Sequence, residues 1–155
     1  MRDLLRCLVL KSTASAAILI LALGAAPASA GLFSATGQVF AILGNELFVG
    51  EAEGHLNGAG TLTIHSQRDP SLSCKGEFVS SAAGGSGQLT CNDGSRATFS
   101  FARLTVFRGH GSGSYSRGPM SFSYGMAAAE AKRYLALPTG KNLVQVATAL
   151  QLVDM

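Results

Sequence analysis

Three Gly-x-Gly units, Gly58/Gly60, Gly85/Gly87 and Gly111/Gly113, recur at spacings of 27 and 26 residues. After each comes an alternating segment (TLTIHS, QLTCN, SYS), then a turn, then a segment carrying aromatics (SCKGEF, ATFSF, MSFSY). Glycine weakens a strand interior, because it packs no side chain and loses the most backbone entropy. Its return at a fixed place ahead of period-two alternation marks a repeated β-hairpin. The chain is therefore expected to be mainly β. The reading is an antiparallel meander of about eight short strands, in a partly closed barrel or a sandwich, with one C-terminal helix and a final strand.

Register follows from one rule: facing residues share a core or a solvent face. With Gln67–Ser71 as a loop, Ile64 faces Cys74, Leu62 faces Gly76 and Gly60 faces Phe78. With Asn92-Asp93-Gly94 as a turn, Leu89 faces Ala97 and Gly87 faces Phe99. With SRGP as the third turn, Tyr115 faces Met120, Gly113 faces Phe122 and Gly111 faces Tyr124. The second glycine of each unit then lies opposite a phenylalanine, which covers it across the sheet. A Ser80–Gly85 loop joins the first two units and sets Phe78 opposite Gly87 and Cys74 opposite Cys91.

Upstream, QVFAIL and ELFVGEAEGHL read as strands around a turn at Gly44-Asn45. RLTVF, between the second and third units, is apolar on both parities and reads as a doubly covered strand or a bulge. MAAAEAKRYLAL, residues 126–137, is rich in helix formers and is stopped by Pro138 and Gly140. Ala127, Ala131, Tyr134 and Leu135 would form its apolar stripe, with Glu130 and Arg133 on the wet side. LVQVATALQL, within residues 142–153, alternates and reads as one last strand. It would pair with the first strand to help close the sheet, or cap its open edge.

The first thirty residues have another character. Arg2, Arg6 and Lys11, an apolar run, and Ala-Pro-Ala-Ser-Ala ending at Ala30 form the pattern of a cleaved secretory signal peptide, residues 1–30. The apolar run is shorter than the roughly 20 residues a membrane span needs. Residues 31–155 then make one β-rich domain, with the three hairpins at 54–125. Three of the 12 Lys and Arg residues and one of the nine acids leave with the signal, so the net charge falls from +3 to +1. A charge so near zero argues against a nucleic-acid partner. Two cysteines remain, Cys74 and Cys91. In an exported chain an even pair is most simply a disulfide.

The Gly-rich segments GxG, SC-x-G-x-F, GQLTC-x-DG, FSF, GSGS and MSFSYG resemble those of small exported proteins of Gram-negative bacteria with Gly-rich β-hairpin repeats. They also resemble MORN repeats, Gly-rich hairpin modules used in interaction and membrane association. The period here is longer, and the aromatic-Gly start of a MORN unit is missing. The resemblance covers Gly54–Gly125, transfers no catalytic residue, and implies a β-hairpin fold with an interaction role.

Chemistry-bearing residues are few. Glu51, Glu53 and His55 alternate on one strand face. An Asn57-Gly58-Ala59 turn would set His65 opposite Glu51 and Thr61 opposite His55. Two carboxylates and two imidazoles on one face could take Zn²⁺; the competing reading is a wet sheet face with ordinary cross-strand pairs. No G-x-S-x-G elbow occurs. GHGSGSYSRG lacks the Lys-Ser/Thr and the following helix of a phosphate loop. Arg103, Arg108 and Arg117, around His110, Phe107 and Tyr115, are candidates for an anion-binding surface, for lipid head groups or glycans. A lipid-spanning barrel is set aside because its strands need about 9 to 11 residues and the alternating segments are shorter. The expected function is an exported, non-catalytic module of the periplasm or the secreted fraction, peripheral to the outer membrane and without a cofactor. It would have a binding or structural role. The alternative is a small metal-dependent hydrolase on the Glu51/Glu53/His55/His65 face.

Overall fold

A computed structural model describes residues 34–155; the expected signal peptide lies outside the described residues. Eight strands form one closed barrel: β1 (Ser34–Leu43), β2 (Glu46–His55), β3 (Ala59–Ser66), β4 (Ser73–Ser80), β5 (Gly84–Cys91), β6 (Arg96–Thr105), β7 (Arg108–Tyr115) and β8 (Gly118–Tyr124). Each pairs antiparallel with the next. β8 closes on β1 through Val39–Tyr124, Ala41–Phe122 and Leu43–Met120. Closure leaves the barrel no free edge, the stable answer for strands this short.

The side chains split by parity. Val39, Ala41, Leu43, Phe48, Leu62, Ile64, Cys74, Leu89, Cys91, Ala97, Phe99 and Phe122 are buried in one interior cluster. Outward positions on β3 to β6 carry Thr61, Lys75, Glu77, Gln88, Thr90, Arg96 and Thr98, all exposed. β1, β2 and β6 run to 10 residues each, longer than the alternating segments suggested. Length thus does not separate this barrel from a lipid-spanning one, but polarity does. An apolar interior with a polar outer wall reverses the lipid-facing pattern. No helix among the described residues is long and apolar enough to cross a membrane.

The register of the first two hairpins is as the pattern predicts: Ile64–Cys74 and Gly60–Phe78, then Leu89–Ala97 and Gly87–Phe99. Cys74 lies opposite Cys91 and the two form a disulfide. Two turns differ. β2 and β3 pair Gly54 with Gly60 and Val49 with His65, so the turn is Leu56-Asn57-Gly58. Gly58 has φ +84°, and a three-residue hairpin loop places its left-handed residue last. β7 and β8 pair Tyr115 with Gly118 across the two-residue turn Ser116-Arg117. Gly113 therefore faces Met120, Gly111 faces Phe122 and Gly109 faces Tyr124, two places from expectation. Both shifts keep every side chain on its expected face, which is why a face rule cannot detect them.

The tail also differs. The α-helix α1 is one turn, Ala128–Ala131, followed by a 3₁₀ turn at Lys132–Tyr134, rather than residues 126–137. Ala127 is extended and supplies no side-chain cap. Met126 and Leu135, at the two ends, are both buried against the barrel. An isolated helix this short has little stability of its own, so burial sets the path. The buried face is Ala128, Ala131 and Leu135, while Ala127 is exposed. The expected last strand is two, β9 (Lys141–Val146) and β10 (Ala149–Asp154), in a separate hairpin that pairs with no barrel strand. It neither closes the barrel nor caps an edge. Its turn contains Ala147 at φ 52° and no glycine, so the sequence carries no turn signal there. Leu143 and Leu150 pack with Phe40, Ile42 and Leu47 on the outer wall. The continuous run Val39–Leu43 is thereby buried on both faces.

Candidate ligand cavity

The two ends of the barrel are filled differently. At the end bearing the β1–β2, β3–β4, β5–β6 and β7–β8 turns, Leu43, Phe48, Ile64, Leu89 and the disulfide pack the interior. Tyr115 completes it, its hydroxyl 3.0 Å from Ser95 Oγ. The Asp93 carboxyl falls to about 2, held chiefly by the Ser95 hydroxyl, then by the Ser95 amide and Arg117. Arg117 donates to Asp93 at 3.0 Å and lies over the Tyr115 ring.

At the other end, large and small residues alternate around the wall. β4, β6 and β8 contribute Phe78, Phe99, Phe101, Phe122 and Tyr124, which meet mostly edge to face at 5.1–5.7 Å between centroids. Between them, β3, β5 and β7 present glycines. A Cβ on Gly60 would stand 2.1 Å from the Phe78 ring, and one on Gly111 2.6 Å from Phe122. The aromatic rings need those glycines. Across the barrel, Gly37, Ala52 and Gly54 face inward with little or no side chain. A Cβ on Gly54 would meet only the tip of Phe78, at 3.9 Å. Eight strands enclose just enough room for side chains, or for one small ligand. Small residues here leave a cavity of about 310 Å³ lined by Val39, Leu62, Met120 and the aromatic wall.

The mouth of this cavity is apolar too. Val106 and Phe107, on the β6–β7 turn, are 67% and 62% exposed, and Leu56, on the β2–β3 turn, is 79% exposed. RLTVF holds a bulge between Arg103 and Thr105, which ends the regular ladder and releases these side chains to the rim.

Ser34, Thr36 and His55 line the exposed mouth, and two polar side chains, Arg103 and Tyr124, place buried polar atoms in the cavity. Arg103 continues the inward series Ala97, Phe99, Phe101, and its Nη2 donates to Ser80 Oγ at 3.1 Å. Its Nε is buried and has no hydrogen-bond partner, and the same holds for Tyr124 Oη. Burial pushes the Tyr124 phenol up, and the nearby Arg103 guanidinium pulls it the other way. No acidic side chain lines the cavity among the described residues.

The expected anion-binding surface is not one surface. Arg103 is inside the barrel. Arg108 is outside and paired with Glu130. Arg117 sits at the opposite end with Asp93. Of the expected metal residues, Glu51, Glu53 and His65 stay on the outer wall and His55 ends β2 at the cavity mouth, and the register sets Thr63, not His65, opposite Glu51. Among the described residues no group of three or more His, Cys, Asp or Glu converges to hold a metal ion. Tyr124 and the small-residue wall escaped the sequence reading. The parity of β6 could have turned Arg103 inward beforehand.

Fold and cavity together define a water-facing up-and-down β-barrel with a ligand-sized interior space. No protein-family model, curated protein or solved structure matches the chain.

Proposed function

We propose that the mature chain is an exported, non-catalytic binding module of the periplasm or the secreted fraction. Its ligand is a small, mainly apolar molecule held inside the barrel. The observation that carries this reading is the interior cavity. It lies at the low end of the roughly 300 to 1,000 Å³ of small-molecule sites, and it has their makeup: apolar walls, aromatic rings and a few converging polar groups. An aromatic and aliphatic lining favours a lipid-like molecule over a glycan, whose hydroxyls would go unpaired there. Leu56, Val106 and Phe107 give it an apolar way in. The N-terminal signal pattern and the buried Cys74–Cys91 bridge support export. Among the described residues no group of three or more metal-ligating side chains assembles to support the hydrolase alternative.

A plug tests the reading. Gly54→Leu adds a side chain that points into the cavity from a position where even a Cβ meets nothing closer than 3.9 Å. The neutral dye N-phenyl-1-naphthylamine should bind the wild type saturably, one per chain, with a rise in fluorescence. The variant should melt cooperatively, within about 1 kcal/mol of wild type, and bind the dye at least about tenfold more weakly. Equal dye binding by the two proteins would place the dye elsewhere and remove the cavity as the site.

A further inference from the structure

We infer that Arg103 and Tyr124 form a head-group subsite for a singly charged carboxylate, so that the cavity ligand is a small amphiphilic acid. This rests on the reading of the cavity as a ligand site. The first argument is charge. Arg68, Arg108, Arg117 and Lys141 each have a carboxylate partner, and Lys75, Arg96, Lys132 and Arg133, which have none among the described residues, are exposed to water. Arg103 is the basic residue turned into the barrel, and it has no ion pair among the described residues. Its side-chain hydrogen bond goes to the neutral Ser80 hydroxyl. A guanidinium is a permanent cation, and half-burial of this one at the rim, with its Nε fully covered, takes away part of its hydration. A bound anion is the missing counter-ion.

The second argument is hydrogen bonding. Buried polar atoms nearly always have partners. Arg103 Nε and Tyr124 Oη both lack one, and both residues line the same cavity. A phenol raised above its usual value keeps its proton at neutral pH, so Tyr124 offers a donor. Two N–H or O–H donors beside one positive charge match the two oxygens of a carboxylate. A neutral hydroxyl would satisfy at most part of this set and none of the charge.

Position then orients the ligand. Arg103 stands next to the bulge at the rim, and Tyr124 ends β8 at the same side. The head therefore lies near the mouth and the tail runs inward toward Leu62 and Met120. Arg103 is the permanent cation on the lining among the described residues, with the exposed imidazole of His55 at the mouth, and one such cation suits one negative charge.

The test uses a matched pair, decanoate and decan-1-ol, titrated by dye displacement into the mature wild-type protein at pH 7.5. Decanoate should bind about tenfold or more tightly than the alcohol, since hydrogen bonds to charged groups are the stronger ones. Arg103→Gln should reduce that preference to about twofold or less, leaving alcohol affinity near wild type. Tyr124→Phe should weaken decanoate by about three- to tenfold. Equal binding of acid and alcohol by the wild type would overturn the head-group subsite and leave the apolar cavity standing. Binding of neither would overturn both. The wild-type comparison decides the matter even if Arg103→Gln folds poorly.

Discussion

Alanine at Gly113 should destabilise the barrel by about 3 kcal/mol or more, although it adds one methyl group. Gly113 lies on β7 between Phe99 of β6 and Met120 of β8. A Cβ there would stand 1.9 Å from the Thr98 carbonyl oxygen and 2.7 Å from the Phe99 Cα. Both are backbone atoms of a neighbouring strand, so no side chain can rotate aside. A closed barrel makes this worse. β6 and β7 are each paired on both sides, and separating them strains the whole ring. Gly54 is the internal control. Alanine there meets only the Phe78 ring tip at 3.9 Å. Gly54→Ala should be neutral, or stabilising by up to about 1 kcal/mol through reduced freedom of the unfolded chain. Urea midpoints of the two variants should therefore move in clearly different degrees. A Gly113→Ala midpoint matching wild type would contradict the interior register of β7.

Removing the Cys74–Cys91 bridge should cost about 3 kcal/mol or more. The cysteines are 17 residues apart in sequence, and a cross-link over a loop of that size restricts the unfolded chain by roughly 3 kcal/mol. Both are buried inside the barrel, at 0% and 3% exposure, so Cys74→Ala/Cys91→Ala also removes core packing. For a domain of this size the melting temperature should fall by about 10 °C. Alkylation of the unfolded mature protein without reductant should add no label. Two labels would mean that the thiols are free.

The hairpin order, the interior face and the disulfide were legible because period-two alternation speaks to faces. It is silent about shifts that keep parity. Hence the β7–β8 turn is two residues rather than four, and the β2–β3 turn sits one residue earlier than its expected place. The left-handed conformation of Gly58 decided the second case, and the sequence contains that residue but not its φ. Helix propensity speaks for a longer helix in the tail, yet the burial of Met126, Leu135, Leu143 and Leu150 on the outer wall decides its path. Tertiary burial outweighs local preference in so short a segment.

The site was harder to read than the fold. A cavity is space left over, and it follows from which small residues face each other across a closed ring. Gly37, Ala52 and Gly54 are unremarkable until closure brings β1 and β2 opposite the aromatic wall. Arg103 looked like one of three surface arginines because it neighbours Arg108 in sequence. The parity of β6 and the bulge after it separate the two: one goes into the barrel, the other to Glu130 outside.

The most direct measurement is a crystal structure of the mature protein with decanoate carrying bromine at its far end. The bromine's anomalous signal should appear inside the barrel near Leu62 and Met120. The carboxylate should lie within hydrogen-bonding reach of Arg103 Nε and Tyr124 Oη. Bromine bound only on the outer wall, with the interior empty, would contradict the cavity as the binding site.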